Sequence, residues 1–130
     1  MNSPVKSRVL FVDDDPDTRE VLSDYLKDLH YEVALSQNGR EAQAMIRDYK
    51  PDVIVSDIWM PDLDGIGLCE SLRKEGINTP FIFITGSLQK QQIEACKQLG
   101  AVEFVQKPFY TGKLDAALLR VLANAAIKQP

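Results

Sequence analysis

One histidine, one tryptophan and two cysteines are all that the chain holds of its scarcest chemistry-bearing residues. His30 lies far in sequence from the acidic stretches, and neither Cys69 nor Cys96 is near them, so a zinc centre is disfavoured. The two cysteines fall in helical patterns and read as reduced, half-buried thiols rather than a disulfide framework. No apolar stretch approaches the ~20 residues of a membrane span. Residues 1–6 lack the apolar core of a signal peptide, which makes the cytoplasm the expected location. Basic residues are outnumbered, 15 Lys and Arg against 19 Asp and Glu, for a net charge of -4. That balance argues against a basic nucleic-acid surface on this segment. Repeats, low-complexity tracts and long linkers are also missing.

What is present suits one soluble domain. In 130 residues, 45% hydrophobic and 26% charged, there is room for a real core. The expected layout is a lead over residues 1–7, a domain over 8–124 and a fraying tail over 125–130. Arg8 to Val12 is an apolar run ending in Asp13, Asp14 and Asp15, and Pro16 suits the first turn of a helix that Asp15 would cap. Val21, Leu22, Tyr25, Leu26 and Leu29 then recur as one helical face. Tyr31 to Leu35 reads as a short strand, Asn38-Gly39 as a turn, and Ala42, Met45, Ile46 and Tyr49 as the next helical face. Val53 to Val55 is an unbroken apolar run ending near Asp57, the pattern of a strand covered on both faces. A helix with Ile66, Leu68, Cys69 and Leu72 follows, ended at Gly76. Phe81 to Ile84 is the most apolar strand and runs into Thr85-Gly86-Ser87. Ile93, Cys96 and Leu99 mark another helix stopped by Gly100, and Val102 to Val105 a last strand before Gln106-Lys107-Pro108-Phe109. The last helix is expected from about Gly112 or Lys113 through Leu122.

Strand and helix alternate about five times with short connections. This predicts an α/β fold, a single doubly wound five-stranded parallel sheet of order 2-1-3-4-5, flavodoxin-like, with helices on both faces. Asp13, Asp14, Asp57, Thr85 and Lys107 would then all stand at carboxyl ends of strands, on one edge of the sheet. A carboxylate at a strand end is a nucleophile, a metal ligand or a helix cap; taken alone, Asp57 reads as a cap or turn residue rather than a nucleophile, Thr85 as a strand-end hydroxyl, and Lys107 as a solvated charge. Together they make a site. Three gathered carboxylates repel by ~4 kcal/mol per pair at ~4 Å and an effective dielectric of ~20, so a cation is implied. An all-oxygen donor set points to magnesium, which takes up phosphate oxygens. Metal, lysine and hydroxyl suit a phosphoryl group, and a central carboxylate can be its nucleophile. A magnesium phosphohydrolase would leave Asp57 without a role. A nucleotide carrier lacks its glycine-rich loop after the first strand.

Val12-Asp13-Asp14-Asp15-Pro16, Ser56-Asp57-Ile58-Trp59-Met60-Pro61 with Asp64-Gly65, Ile84-Thr85-Gly86 and Lys107-Pro108-Phe109 together resemble the receiver domain of two-component response regulators. The resemblance covers about Arg8 to Asn124. It implies a signalling switch, an enzyme only toward its own phosphorylation and dephosphorylation. Asp57 would accept a phosphoryl group from a sensor histidine kinase or histidine phosphotransfer protein. Asp14, Asp57 and the backbone carbonyl of Trp59 would hold magnesium, with Asp13 acting through water. Lys107 would pair with the phosphoryl oxygens, and the bond to Pro108 would be cis. Thr85 and Phe104 would be the switch residues, altering the face of the last two helices and last strand for a downstream protein or output domain. No membrane or direct nucleic-acid partner is implied for this segment. Three positions depart from the usual pattern: Phe104 lacks a tyrosine hydroxyl, Gly86 follows Thr85, and Trp59 is bulky for its place.

Overall fold

The computed structural model describes residues 6–86, 89–100, 102–107 and 111–128. Five parallel strands, β1 (Arg8–Val12), β2 (Glu32–Ser36), β3 (Val53–Asp57), β4 (Phe81–Thr85) and β5 (Val102–Gln106), form one sheet of order β2-β1-β3-β4-β5. Helices α1 (Pro16–Asp28), α2 (Gly39–Tyr49), α3 (Gly65–Lys74), α4 (Lys90–Lys97) and α5 (Thr111–Lys128) alternate with them. The expected topology is the observed one.

Strand side chains point alternately to opposite faces, and here both faces are covered. Val9, Phe11, Val53, Val55, Ile82 and Ile84 join the core under α1 and α5. Their neighbours Leu10, Val12, Ile54, Phe81 and Phe83 join the core under α2, α3 and α4. This is why the central strands are apolar without alternation. Cys69 and Cys96 both lie in the second core at 0% exposure, not half-buried as expected, and burial pushes both thiols up to about 11. Among the described residues, no helix is long and apolar enough to cross a membrane.

Local chemistry sets the boundaries. Asp15 caps α1 as predicted, accepting from the Asp17 amide. Tyr31, expected to open β2, instead closes α1: its amide donates to Leu26 O while His30, at φ 70, donates to Lys27 O. That pair of hydrogen bonds is a left-handed helix stop. Val21, expected on the buried face of α1, is 64% exposed, because the buried stripe runs along Leu22, Ser23 and Leu26. Asn38 is no free turn but the N-cap of α2, accepting from the Glu41 amide. At the far end, α5 continues to Lys128, past the tail boundary expected after Asn124. Ala125 and Ala126 favour helix, and no breaker intervenes before Pro130.

Arg73 ties the ends of α3 and α4 together. Its guanidinium donates to Leu99 O at 2.7 Å, Ile77 O at 2.9 Å and Gly100 O at 3.2 Å, and lies 5.6 Å from the Phe81 ring centre. Hydrogen bonds from a charged donor are worth more than neutral ones, and their loss strands partly buried carbonyls. Arg73→Met should therefore lower stability by about 2 kcal/mol and Tm by roughly 8 °C in thermal unfolding followed by circular dichroism. A Tm within about 2 °C of the wild type would rule out the staple.

Candidate functional site

Parallel strands end together, so their last residues share one edge. β1 ends at Val12 and hands on Asp13, whose amide donates to Ser36 O at the end of β2 at 3.1 Å. The Asp13 carboxylate is buried at 1% exposure and accepts the Asp15 amide on Oδ1 at 2.9 Å. Arg19, one turn into α1, holds the Asp13 carbonyl at 2.6 Å. The three successive acids thus divide their work. Asp13 and Asp14 face the site, while Asp15 caps α1 and accepts from Thr18 Oγ1 at 2.6 Å.

β3 ends in Asp57, whose side chain is 13% exposed. Carboxylate oxygens of Asp13, Asp14 and Asp57 lie within 4.8 Å of one another, so the convergence expected from strand order is realised. Lys107, just past β5, brings Nζ to 3.2 Å from Asp57 Oδ2 and 3.7 Å from Asp13 Oδ2. Its backbone is fixed as well, since the Lys107 amide donates to Thr85 O at 2.7 Å. Thr85 itself ends β4, fully buried on the same edge of the sheet. Trp59 donates its amide to Asp57 Oδ1 at 3.3 Å and keeps its side chain 54% exposed.

Burial drives the Asp13 carboxyl upward from its ordinary value. The Asp15 amide and Lys107 pull it back, Asp57 and Asp14 push it up again, and the net shift is upward. For Lys107 the largest influence, burial, acts downward, but Asp57 and Asp13 outweigh it and the ammonium is held above its usual range. Among the described residues, Asp13 Oδ2 is buried without a hydrogen-bond partner, and the lysine contact is too long to supply one. An unsatisfied buried carboxylate oxygen beside two further carboxylates fits a hard cation with oxygen ligands.

Phe104 does not join the acids. It lies within β5 opposite Phe83, ring centres 5.9 Å apart, against the second core. At Gly86 an added Cβ would meet no described atom within 4 Å, so packing does not require glycine there. Ser87, Pro108 and Phe109, and with them the expected cis bond after Lys107, lie outside the described residues. Sequence reasoning missed Arg19, although a basic residue one turn beyond an acid-capped helix start was the signal for it. It also missed the part played by the β2–α2 turn, whose contact with Asp13 is through backbone.

Residues 9–119 match the family described as response regulator receiver domain. The chain is 37% identical over 120 residues to "Probable transcriptional regulator ycf27" of Porphyra purpurea, covering 92% of this chain and 49% of that protein. It is 37% identical over 115 residues to "Response regulator MprA" of Mycolicibacterium vanbaalenii, covering 88% and 50%. The chain therefore spans about half the length of the curated relatives it matches. Among solved structures, chemotaxis protein CheY4 of Vibrio cholerae superimposes with a TM-score of 0.84 at 33% identity, over 90% of this chain and 99% of that one. The receiver domain of Francisella response regulator 1452 gives 0.84 at 31%, over 92% and 98%. With the sheet order, the acid cluster and these likenesses in agreement, the chain belongs to the receiver domain family of two-component response regulators.

Proposed function

We propose that this receiver is a phosphorylation-driven switch in which Asp57 accepts the phosphoryl group. The observation that carries the reading is the pairing of Asp57 Oδ2 with Lys107 Nζ at 3.2 Å inside a cluster that also holds Asp13 and Asp14. Asp57 is the acid of the cluster that stands at the end of the central strand β3 and lies nearest Lys107 Nζ. An oxygen of its carboxylate attacks phosphorus, an O–P bond forms, and the donor's leaving atom departs with the electron pair of its own bond to phosphorus. A phosphohistidine of a sensor kinase or phosphotransfer protein is the donor expected for this family. Lys107 stays beside the transferred group and pairs with its oxygens. Asp14, Asp57 and the Trp59 carbonyl would hold magnesium, with Asp13 reached through water. When bound, the ion supplies positive charge to the phosphoryl oxygens as the bonds exchange.

Thr85 and Phe104 are the switch pair in this reading.

 Phe104, part-buried against Phe83, has no hydroxyl to bond in an inward state, so its swing would be governed by packing alone. A phosphoryl group can shift the loop after Thr85 only by favouring one of two states, with Thr85 drawn towards Asp57. The altered face would be that of α4, β5 and α5, offered to a downstream protein or an output domain. A cytoplasmic setting suits this role.

Phosphorylation by acetyl phosphate in magnesium, followed by intact mass, should add one phosphoryl group to the wild type. Asp57→Asn or a chelator should abolish it, and the bond should be base-labile. Equal incorporation in Asp57→Asn would reject Asp57 as the acceptor.

The cluster also makes a prediction about stability. The raised Asp13 carboxyl favours the protonated form in the folded state. Its stabilising contribution is therefore complete below the ordinary carboxylate range and lost as pH rises through the raised value. At neutral pH without divalent metal, Asp13→Asn should be more stable than the wild type by about 1 kcal/mol, because two repulsions and a burial cost vanish against one lost attraction. Denaturant unfolding with and without magnesium checks this, and the gap should narrow in saturating magnesium. A variant less stable than the wild type without metal would show that Lys107 outweighs the repulsion.

A further inference from the structure

The loop between Asp57 and α3 carries Trp59 and is boxed in on two sides. On one side, Gly65 presses on the end of β3: a Cβ there would sit 2.2 Å from Asp57 O, and the Gly65 amide donates to Ile58 O at 2.9 Å. On the other side stands the first turn of α2. A Cβ on Gly39 would sit 2.3 Å from Leu63 O and 3.0 Å from Leu63 Cβ, so only glycine lets the helix start lie against the loop. Next to it, Arg40 Nε holds Asp62 Oδ2 at 3.0 Å. Asp62 has φ 68, a left-handed conformation that an aspartate adopts only at a cost. The same turn reaches the other half of the acid cluster, since Ser36 O accepts the Asp13 amide at 3.1 Å and Ser36 Oγ donates to Asn38 O at 2.8 Å.

We propose that residues 36–40 are a positioning element for the metal site, with Arg40 and Gly39 setting the loop that bears Trp59 although neither residue belongs to the acid cluster. Arg40 supplies a partner that offsets the left-handed cost at Asp62. Gly39 supplies a wall of backbone against which Leu63 rests. The inference rests on the reading that the Trp59 carbonyl helps to hold magnesium. It adds two residues, on a different helix, that govern how well that carbonyl is presented.

Magnesium titration followed by Trp59 emission tests it, with circular dichroism and Tm recorded for every variant. Arg40→Ala, an exposed change expected to fold normally, should weaken magnesium binding roughly fivefold. Glycine takes φ near 68 freely, so Arg40→Ala combined with Asp62→Gly should restore affinity to within about twofold of the wild type. Arg40→Ala combined with Asp62→Ala removes the same charges but keeps a Cβ at φ 68, so it should stay weakened, whereas a merely electrostatic role for Arg40 would be rescued by either double variant. Gly39→Ala should weaken binding by about tenfold or more, because the wall must move. Wild-type affinity in Arg40→Ala, an unrescued Asp62→Gly double variant or a rescued Asp62→Ala one overturns the proposal while leaving the metal site intact. A wild type whose emission ignores magnesium overturns the metal reading and the proposal with it.

Discussion

Repulsion among Asp13, Asp14 and Asp57 is the constraint on which the site depends. Three carboxylates whose oxygens lie within 4.8 Å are stable neighbours only with positive charge among them. Lys107 provides part of it, and the hydrogen bond from its backbone amide to Thr85 O ties its backbone to the sheet. The remaining charge is left to a cation, and the unpartnered Asp13 Oδ2 is where that deficit is felt. A site held short of neutrality suits the magnesium and phosphoryl oxygens of the proposed function.

Burial and exposure divide the labour around this cluster. Asp13 and Thr85 are buried, so their surroundings are fixed by the core, whereas Asp14 is exposed and open to solvent ions. Backbone groups do much of the positioning: the Ser36 carbonyl for Asp13, the Trp59 amide for Asp57, the Thr85 carbonyl for Lys107. Side chains at these supporting positions can differ while the frame stays. Two close backbone approaches, at Gly39 and Gly65, are the exceptions, because there the lack of a Cβ is itself the contact.

The two cores on either face of the sheet are coupled to the site differently. The face under α1 and α5 is bounded by an acid-capped helix start and a left-handed stop at His30. On the other face, α3 is joined to the end of α4 by Arg73, while Gln89 at the start of α4 makes no side-chain cap bond. The end of α4 is thus pinned to α3.

Much of this was legible in the chain itself. Apolar runs at Val9–Val12, Val53–Val55 and Phe81–Ile84 each stop at a polar residue, and with helices between them a parallel sheet of order 2-1-3-4-5 is the natural outcome. Strand order alone then carries Asp13, Asp14, Asp57, Thr85 and Lys107 to one edge. What depended on local hydrogen bonding was less visible: Tyr31 ended a helix instead of starting a strand, and Asn38 capped a helix instead of making a turn, because the same residue types serve both roles. Only the tertiary structure decided that both cysteines are fully buried and that Phe104 packs on Phe83. It alone revealed the contact of Gly39 with Leu63, and the Arg40 bond to an aspartate held left-handed, since both join residues more than twenty apart through distances no periodicity encodes. Side-chain spacing reports which face a residue occupies; which backbone it meets there is settled only when the helices have packed.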